Sequence, residues 1–288
     1  MSKARYGLVE AGGTKFVLGV ATDKDSIEAT TRIDTTTPDE TIGAMLDWFA
    51  GQGTLSAIGV ASFGPLDLDK ASPAWGHITQ TTKPHWSGAD IAGPLQRKFG
   101  GPVAIDTDVN GAALAEYLWG AGQGQKALLY FTIGTGIGGG AIVDGRILQG
   151  LSHPEMGHIR LPRHPDDIGF AGNCSFHGDC LEGLASGPAI KARWGASLSE
   201  LPDDHPAHDI IAYYIAQAAV TMQAIFAPGR IIFGGGVMGT AGLIDRVRQQ
   251  TTSLGAGYFL GNPDDIITLP GLGDKAGLLG ALALAQSA

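Results

Sequence analysis

The chain has 288 residues, 44% of them hydrophobic, so it can bury a substantial core and is long enough for two lobes. Its formal net charge of −9 argues against nucleic acid or an anionic membrane as a partner, since either favours a basic face. The 45 glycines fall in clusters with no fixed period, which excludes a collagen-like chain, and those at 134, 136 and 138–140 break the uncharged run 127–143, which excludes it as a membrane span.

In chain order, Met1-Ser-Lys-Ala-Arg5 leads into a strand with no apolar leader segment, so a cytoplasmic protein is expected and a disulfide is disfavoured. Residues 6–10 and 16–21 read as short apolar strands around Ala11-Gly-Gly-Thr-Lys15, a hairpin whose glycine-rich tip suits a phosphate. Ile42, Met45, Leu46 and Phe49 give 41–50 helical spacing, and 55–62 reads as a buried strand. A strand at 103–107 leads into Asp108 and an alanine-rich helix. Residues 127–132 and 140–143 then flank a second glycine tip and repeat the opening hairpin, which suggests two similar halves. Helices at 183–194 and 208–226 follow, then a strand at 230–233 and helices at 243–252 and 275–286. The expected organisation is α/β, with one lobe from 1–115 joined by the C-terminal helix 275–288, and a second from 116–274.

Glycine frees backbone amides to face phosphate oxygens, and three strands here end in such loops. They are Gly12-Gly13-Thr14-Lys15, the run from Gly134 through Thr135 and Gly136 to Gly140, and Gly234-Gly235-Gly236. Together they point to a nucleotide. The spacing of Gly134, Gly136 and Gly139 matches a dinucleotide fingerprint, but that motif needs a helix next, whereas Ala141-Ile-Val143 reads as a strand. A Walker A spacing is absent.

Asp108 admits two readings: a carboxylate that orients an accepting hydroxyl in phosphoryl transfer and takes its proton, or a helix cap. Cys174-x-x-His177-x-x-Cys180 places three metal donors on one loop, and His158 can complete a tetrahedral set for zinc. Glu155, His158 and Glu182 lie near that loop. They read either as hydrogen-bonding partners of sugar hydroxyls or as solvated carboxylates beside a pure zinc ligand.

Taken together, these motifs resemble the ROK family of sugar kinases and transcriptional repressors, of the actin-like ATPase (ribonuclease H-like) fold, and the resemblance covers essentially the whole chain. Glu10-Ala-Gly-Gly-Thr-Lys15 resembles its first phosphate loop and Thr132-Ile-Gly-Thr-Gly-Ile-Gly-Gly-Gly140 its second. Phe233-Gly-Gly-Gly-Val237 resembles the adenosine segment, with Gly235 and Gly236, and Glu155-Met-Gly-His158 the sugar motif. Many members hold three cysteines in the zinc loop, where this chain has Cys174-Ser-Phe-His-Gly-Asp-Cys180-Leu-Glu182. That change, with Glu10 in place of aspartate and Thr107-Asp108-Val-Asn110 in place of Asn-Asp, is similar to the bacterial fructokinase branch. The resemblance implies ATP-dependent phosphorylation of D-fructose at the 6-hydroxyl, Mg2+ with the nucleotide, a structural Zn2+ and a homodimer. It makes Asp108 the general base, Asn110, Glu155, His158 and Glu182 sugar contacts, and His158, Cys174, His177 and Cys180 the zinc ligands. A mannose or glucose kinase is the alternative within the family. A repressor is disfavoured, because the first phosphate loop starts too near Met1 to leave room for a DNA-binding domain.

Overall fold

The computed structural model describes residues 3–259 and 261–288. Two compact units form. One comprises residues up to Trp119 together with Gln149–His153 and Leu272–Ala288, and the other Gly120–Leu148 and Pro154–Gly271.

The first unit runs β1 (Tyr6–Ala11), β2 (Lys15–Asp23), β3 (Ser26–Asp34), α1 (Pro38–Ala50), β4 (Ala57–Ser62), α2 (Ala92–Phe99), β5 (Val103–Thr107) and α3 (Asp108–Trp119). Its sheet has the order β3-β2-β1-β4-β5, with β1, β2 and β3 antiparallel and β4 and β5 parallel to β1. Every residue of β4 is buried, as expected of a central parallel strand covered on both faces. The edge strand β3 is not assigned from the sequence. Its polar residues alternate outward and none of its positions is fully buried, so its apolar signal is only Ile27, Ala29 and Ile33. The C-terminal helix Ala276–Gln286 is apolar on all sides and buried along nearly its whole length, lying on β1 and β4 and against α3. Under the other face Trp86 is fully buried between Phe16 and Phe63, and its indole N–H donates to Thr36 O at 2.8 Å.

The second unit runs β6 (Ala127–Ile133), β7 (Ile137–Val143), β8 (Arg146–Ile147), α4 (Leu181–Ala185), α5 (Gly187–Trp194), α6 (Ala207–Phe226), β9 (Arg230–Gly234), α7 (Leu243–Gly255), α8 (Pro263–Ile266) and β10 (Ile267–Thr268). The sheet order is β10-β9-β6-β7-β8, with β6–β7–β8 antiparallel and β9 and β10 parallel to β6. Matched strand for strand to β1–β5, the pairing pattern is the same, so the likeness of the halves extends from the hairpin to the entire sheet. The region expected as one helix over 183–194 is two. Ser186 is extended, at φ −69° and ψ 160°, because Pro188 has no amide hydrogen to continue α4, and the Ser186 hydroxyl instead caps α5 by accepting from Ala189 N. Helix α6 has the length and hydropathy of a membrane span, but it is the core helix of this unit, packed on α4 and α7.

Both sheets place the loops singled out from the sequence at the carboxyl ends of neighbouring parallel strands, where open α/β sheets offer their binding crevices. In the first, the ends of β1, β4 and β5 are level, through the pairs Ala11–Ser62 and Ser62–Thr107. In the second, Thr132 of β6 pairs with Gly234 of β9, which sets two glycine loops side by side.

The long excursion between β8 and α4 is anchored by a buried ionic cluster. Asp167, 1% exposed, ends a 3-10 turn (Pro165–Asp167), where it pairs with Arg193 and accepts from Tyr214 Oη at 2.6 Å. Burial, with that hydrogen bond, pushes the Tyr214 phenol up to about 12. Arg163 donates to the carbonyls of Asp167 and Phe170. Removing one charge of such a cluster leaves the other buried and unpaired, so Asp167→Asn is expected to lower unfolding free energy by roughly 3 kcal/mol in urea titration. An unchanged midpoint would show the cluster to be incidental.

Candidate functional site

In the first unit the strand ends carry two carboxylates that differ in setting. Asp108 is the first residue of α3, and its Oδ1 accepts from Val109 N at 2.9 Å. The capping position before it belongs to Thr107, whose Oγ1 accepts from Asn110 N at 3.2 Å. Asp108 is therefore half-buried at the sheet edge without being the residue that closes the helix turn. Asp106, buried on β5, accepts from Thr107 N and Asn110 Nδ2, both at 2.7 Å, and from Gln149 Nε2 at 3.0 Å. Burial raises its pKa, against the pull of those donors. The bond to Asp106 fixes the Asn110 amide nitrogen and leaves its Oδ1 as a buried acceptor with no partner among the described residues. Asp106, Gln149 and His153, whose Nε2 accepts from Leu66 N at 3.0 Å, are not marked as functional by the sequence. The available signal was one carboxylate in the otherwise apolar strand 103–107.

The first glycine tip, Gly12 to Lys15, joins β1 to β2. Gly12 N donates to Lys15 O at 2.9 Å, and Thr35, just beyond β3, bonds both Thr14 O and Gly12 O, while nothing lies over Gly13. Behind the tip, the Glu10 carboxylate lies against the start of the C-terminal helix. A Cβ at Gly277 would fall 2.4 Å from its carboxyl carbon, so a larger residue there would displace the Glu10 carboxylate. Burial holds the Glu10 pKa above its usual value, with Lys15 pulling the other way.

In the second unit, the tip between β6 and β7 carries Thr135, exposed, and Gly136. Gly187 N donates to Gly134 O at 2.8 Å, and Ile137 N donates to Glu182 Oε2 at 2.9 Å. Gly235, in the left-handed region at φ 89°, turns the chain from β9 into the 3-10 segment Gly236–Gly239 beside Ile133. The strand that follows Gly136 rules out a dinucleotide fingerprint, as the sequence suggested.

Four donors gather beside this tip. His158, at the end of the 3-10 turn Met156–His158, meets Cys174, His177 and Cys180, whose ligand atoms all lie within 4.8 Å of one another. The Nδ1 atoms of His158 and His177 are 3.3 Å apart. His158 Nδ1 is 3.4 Å from Cys180 Sγ and 3.7 Å from Cys174 Sγ, which is 3.8 Å from His177 Nδ1. A tetrahedral metal with thiolate bonds of about 2.3 Å and imidazole bonds of about 2.1 Å needs N–N edges of about 3.4 Å and N–S edges of about 3.6 Å. The four separations from His158 and between Cys174 and His177 lie close to those edges. The cysteines are unbonded to each other, and burial pushes the Cys180 thiol up to about 11. The loop is closed by paired backbone bonds between Cys174 and Gly178, and Asp179 is held by Arg160 and Arg163. Glu155 is exposed just before the Met156–His158 turn, while Glu182 is turned toward the β6–β7 tip.

Comparison with known proteins agrees with this layout. The sequence pattern of the ROK family matches residues 6–288. A fructokinase of Zymomonas mobilis is 50% identical, covering 99% of this chain and 98% of that protein, and a fructokinase of Lactococcus lactis subsp. cremoris is 45% identical over 88% and 86%. The crystal structure of a ROK family glucokinase from Streptomyces griseus in complex with glucose and AMPPNP superposes with a TM-score of 0.78 at 27% identity, covering 99% of this chain and 100% of that one. The chain belongs to the ROK family and has its two-sheet, actin-like ATPase fold.

Proposed function

We propose that this protein is an ATP:D-fructose 6-phosphotransferase (EC 2.7.1.4), which moves the γ-phosphoryl group of ATP to the 6-hydroxyl of D-fructose and releases fructose 6-phosphate and ADP. The observation that carries this reading is 50% identity to a fructokinase along nearly the whole of both chains.

Asp108 is the general base. It accepts the proton of the 6-hydroxyl as the sugar oxygen bonds to the γ-phosphorus and the bond to the β,γ-bridging oxygen breaks, leaving ADP. Thr107 caps α3 through Asn110 N, and Asp108, which accepts from Val109 N, stands at the carboxyl end of β5. Asn110, held by Asp106, offers Oδ1 to a sugar hydroxyl, and Glu155, His158 and Glu182 are the sugar contacts of the second unit. Gly12, Gly13, Thr14, Lys15, Thr135 and Gly136 are the phosphate contacts of this reading, and Gly235 and Gly236 the adenosine contacts. Mg2+ arriving with the nucleotide neutralises charge on the phosphoryl oxygens, and Glu10 is the carboxylate nearest that task in sequence.

Zn2+ is the metal we assign to His158, Cys174, His177 and Cys180. Two thiols and two imidazoles at tetrahedral spacing suit it, and four protein ligands leave no open position, so its role is structural. The same reading places the enzyme in the cytoplasm as a homodimer with no nucleic-acid or membrane partner, supported by the acidic net charge and the family resemblance.

An ATP-dependent assay across fructose, mannose and glucose, with the product position determined, is expected to yield fructose 6-phosphate selectively. Equal use of all three sugars would replace fructokinase by a broad hexose kinase. Asp108→Asn is expected to bind ATP and fructose normally while kcat falls by about a thousandfold, the scale of general-base catalysis. Near-normal turnover in that variant would reduce Asp108 to part of the helix start.

A further inference from the structure

Glu182 connects the metal loop to the β6–β7 tip. Cys180 occupies the N-cap of α4, and Glu182 is the second residue of that helix, so its carboxylate goes where Cys180 sets the helix. Its Oε2 accepts from Ile137 N at 2.9 Å, and a Cβ on Gly136 would stand 2.8 Å from the same oxygen. At the other side of the tip, Gly187 N at the start of α5 donates to Gly134 O at 2.8 Å. Residues 134–137 are thus gripped at both ends by the two helices that follow the metal loop. With Gly134 N donating to Gly136 O at 2.9 Å and Ile137 N donating to Glu182, the amides of Thr135 and Gly136 take their direction from this grip. Amides so directed are what an anion-binding turn requires.

We propose that Glu182 is a positioning residue of the nucleotide loop, fixing the 134–137 tip through Ile137 N, so that ATP affinity depends on a carboxylate borne by the metal loop's own helix. This rests on the reading of that tip as the phosphate loop of a kinase. The hydrogen bond from Ile137 N goes to Oε2, and Oε1 is the oxygen this reading gives to a sugar hydroxyl.

The test uses the full chain as wild type, Glu182→Ala, Glu182→Gln, Gly136→Ala and the double variant Gly136→Ala with Glu182→Ala. Each is checked by thermal melting, then read by calorimetric ATP binding and by separate KM values for ATP and fructose. Loss of a hydrogen bond to a charged acceptor predicts about a tenfold weaker ATP Kd in Glu182→Ala. In Glu182→Gln the side-chain oxygen still accepts from Ile137 N, so ATP binding is expected within about threefold of wild type even if the fructose KM rises. Gly136→Ala drives the carboxylate off the tip and is expected to weaken ATP similarly, with the double variant no worse than the poorer single, because both break one interaction. Additive losses in the double variant, or a Glu182→Ala protein with an altered fructose KM and an unchanged ATP Kd, would overturn the proposal. Should Glu182→Ala fail to fold, Glu182→Gln and Gly136→Ala still decide it. A wild type that binds ATP but phosphorylates no fructose would refute the fructokinase reading alone, and ATP binding would still judge Glu182.

Discussion

The convergence of four nitrogen and sulfur donors within 4.8 Å of one another is the constraint on which most of the second unit's site depends. The chain between β8 and α4 is long and contains only short 3-10 turns, a length at which a loop needs staples to hold one conformation against its entropy. Two staples are present. At one, His158, Cys174, His177 and Cys180 converge, and at the other Asp167, Arg193 and Tyr214 tie the loop to α5 and α6. Arg163 bridges them, reaching Asp179 within the donor loop and the backbone at Asp167. From Cys180 the chain enters α4, so the donor set also places Glu182 against the β6–β7 tip.

The first unit holds its loops by other means. Its loops are held by the level ends of three parallel strands and by the buried carboxylate of Asp106, which takes donors from the strand end, from α3 and from the segment Gln149–His153. Burying a carboxylate is unfavourable unless it is well supplied with donors, and three are supplied here. The result is an Asn110 amide held in one orientation by Asp106, beside a helix start that Thr107 caps. Repetition of one strand order in both sheets means that each unit presents glycine tips at the carboxyl ends of its strands.

Much of this was legible in the sequence because the informative residues carry strong local signals. The β1–β2 and β6–β7 hairpins show as apolar runs broken by glycines, and Cys174, His177 and Cys180 lie within one short loop. The strand after Gly136 was readable, which was enough to reject a dinucleotide fold. Other features depend on partners far away in the chain. The edge strand β3 is half wet, so its composition resembles a polar connection. The helix break at Ser186 is by contrast local, since Pro188 follows two residues on and the Ser186 hydroxyl accepts from Ala189 N. Asp106 meets Gln149, and Asp167 meets Arg193 and Tyr214, through tertiary contacts with no fixed spacing. The bond from Ile137 N to Glu182 likewise joins residues that no motif connects.

X-ray absorption at the zinc edge, on protein purified without added metal, tests the tetrahedral donor set most directly. The account predicts one zinc per chain, with two sulfur neighbours at about 2.3 Å and two nitrogen neighbours at about 2.0–2.1 Å. Protein without stoichiometric metal, or a shell of oxygen neighbours, would contradict it.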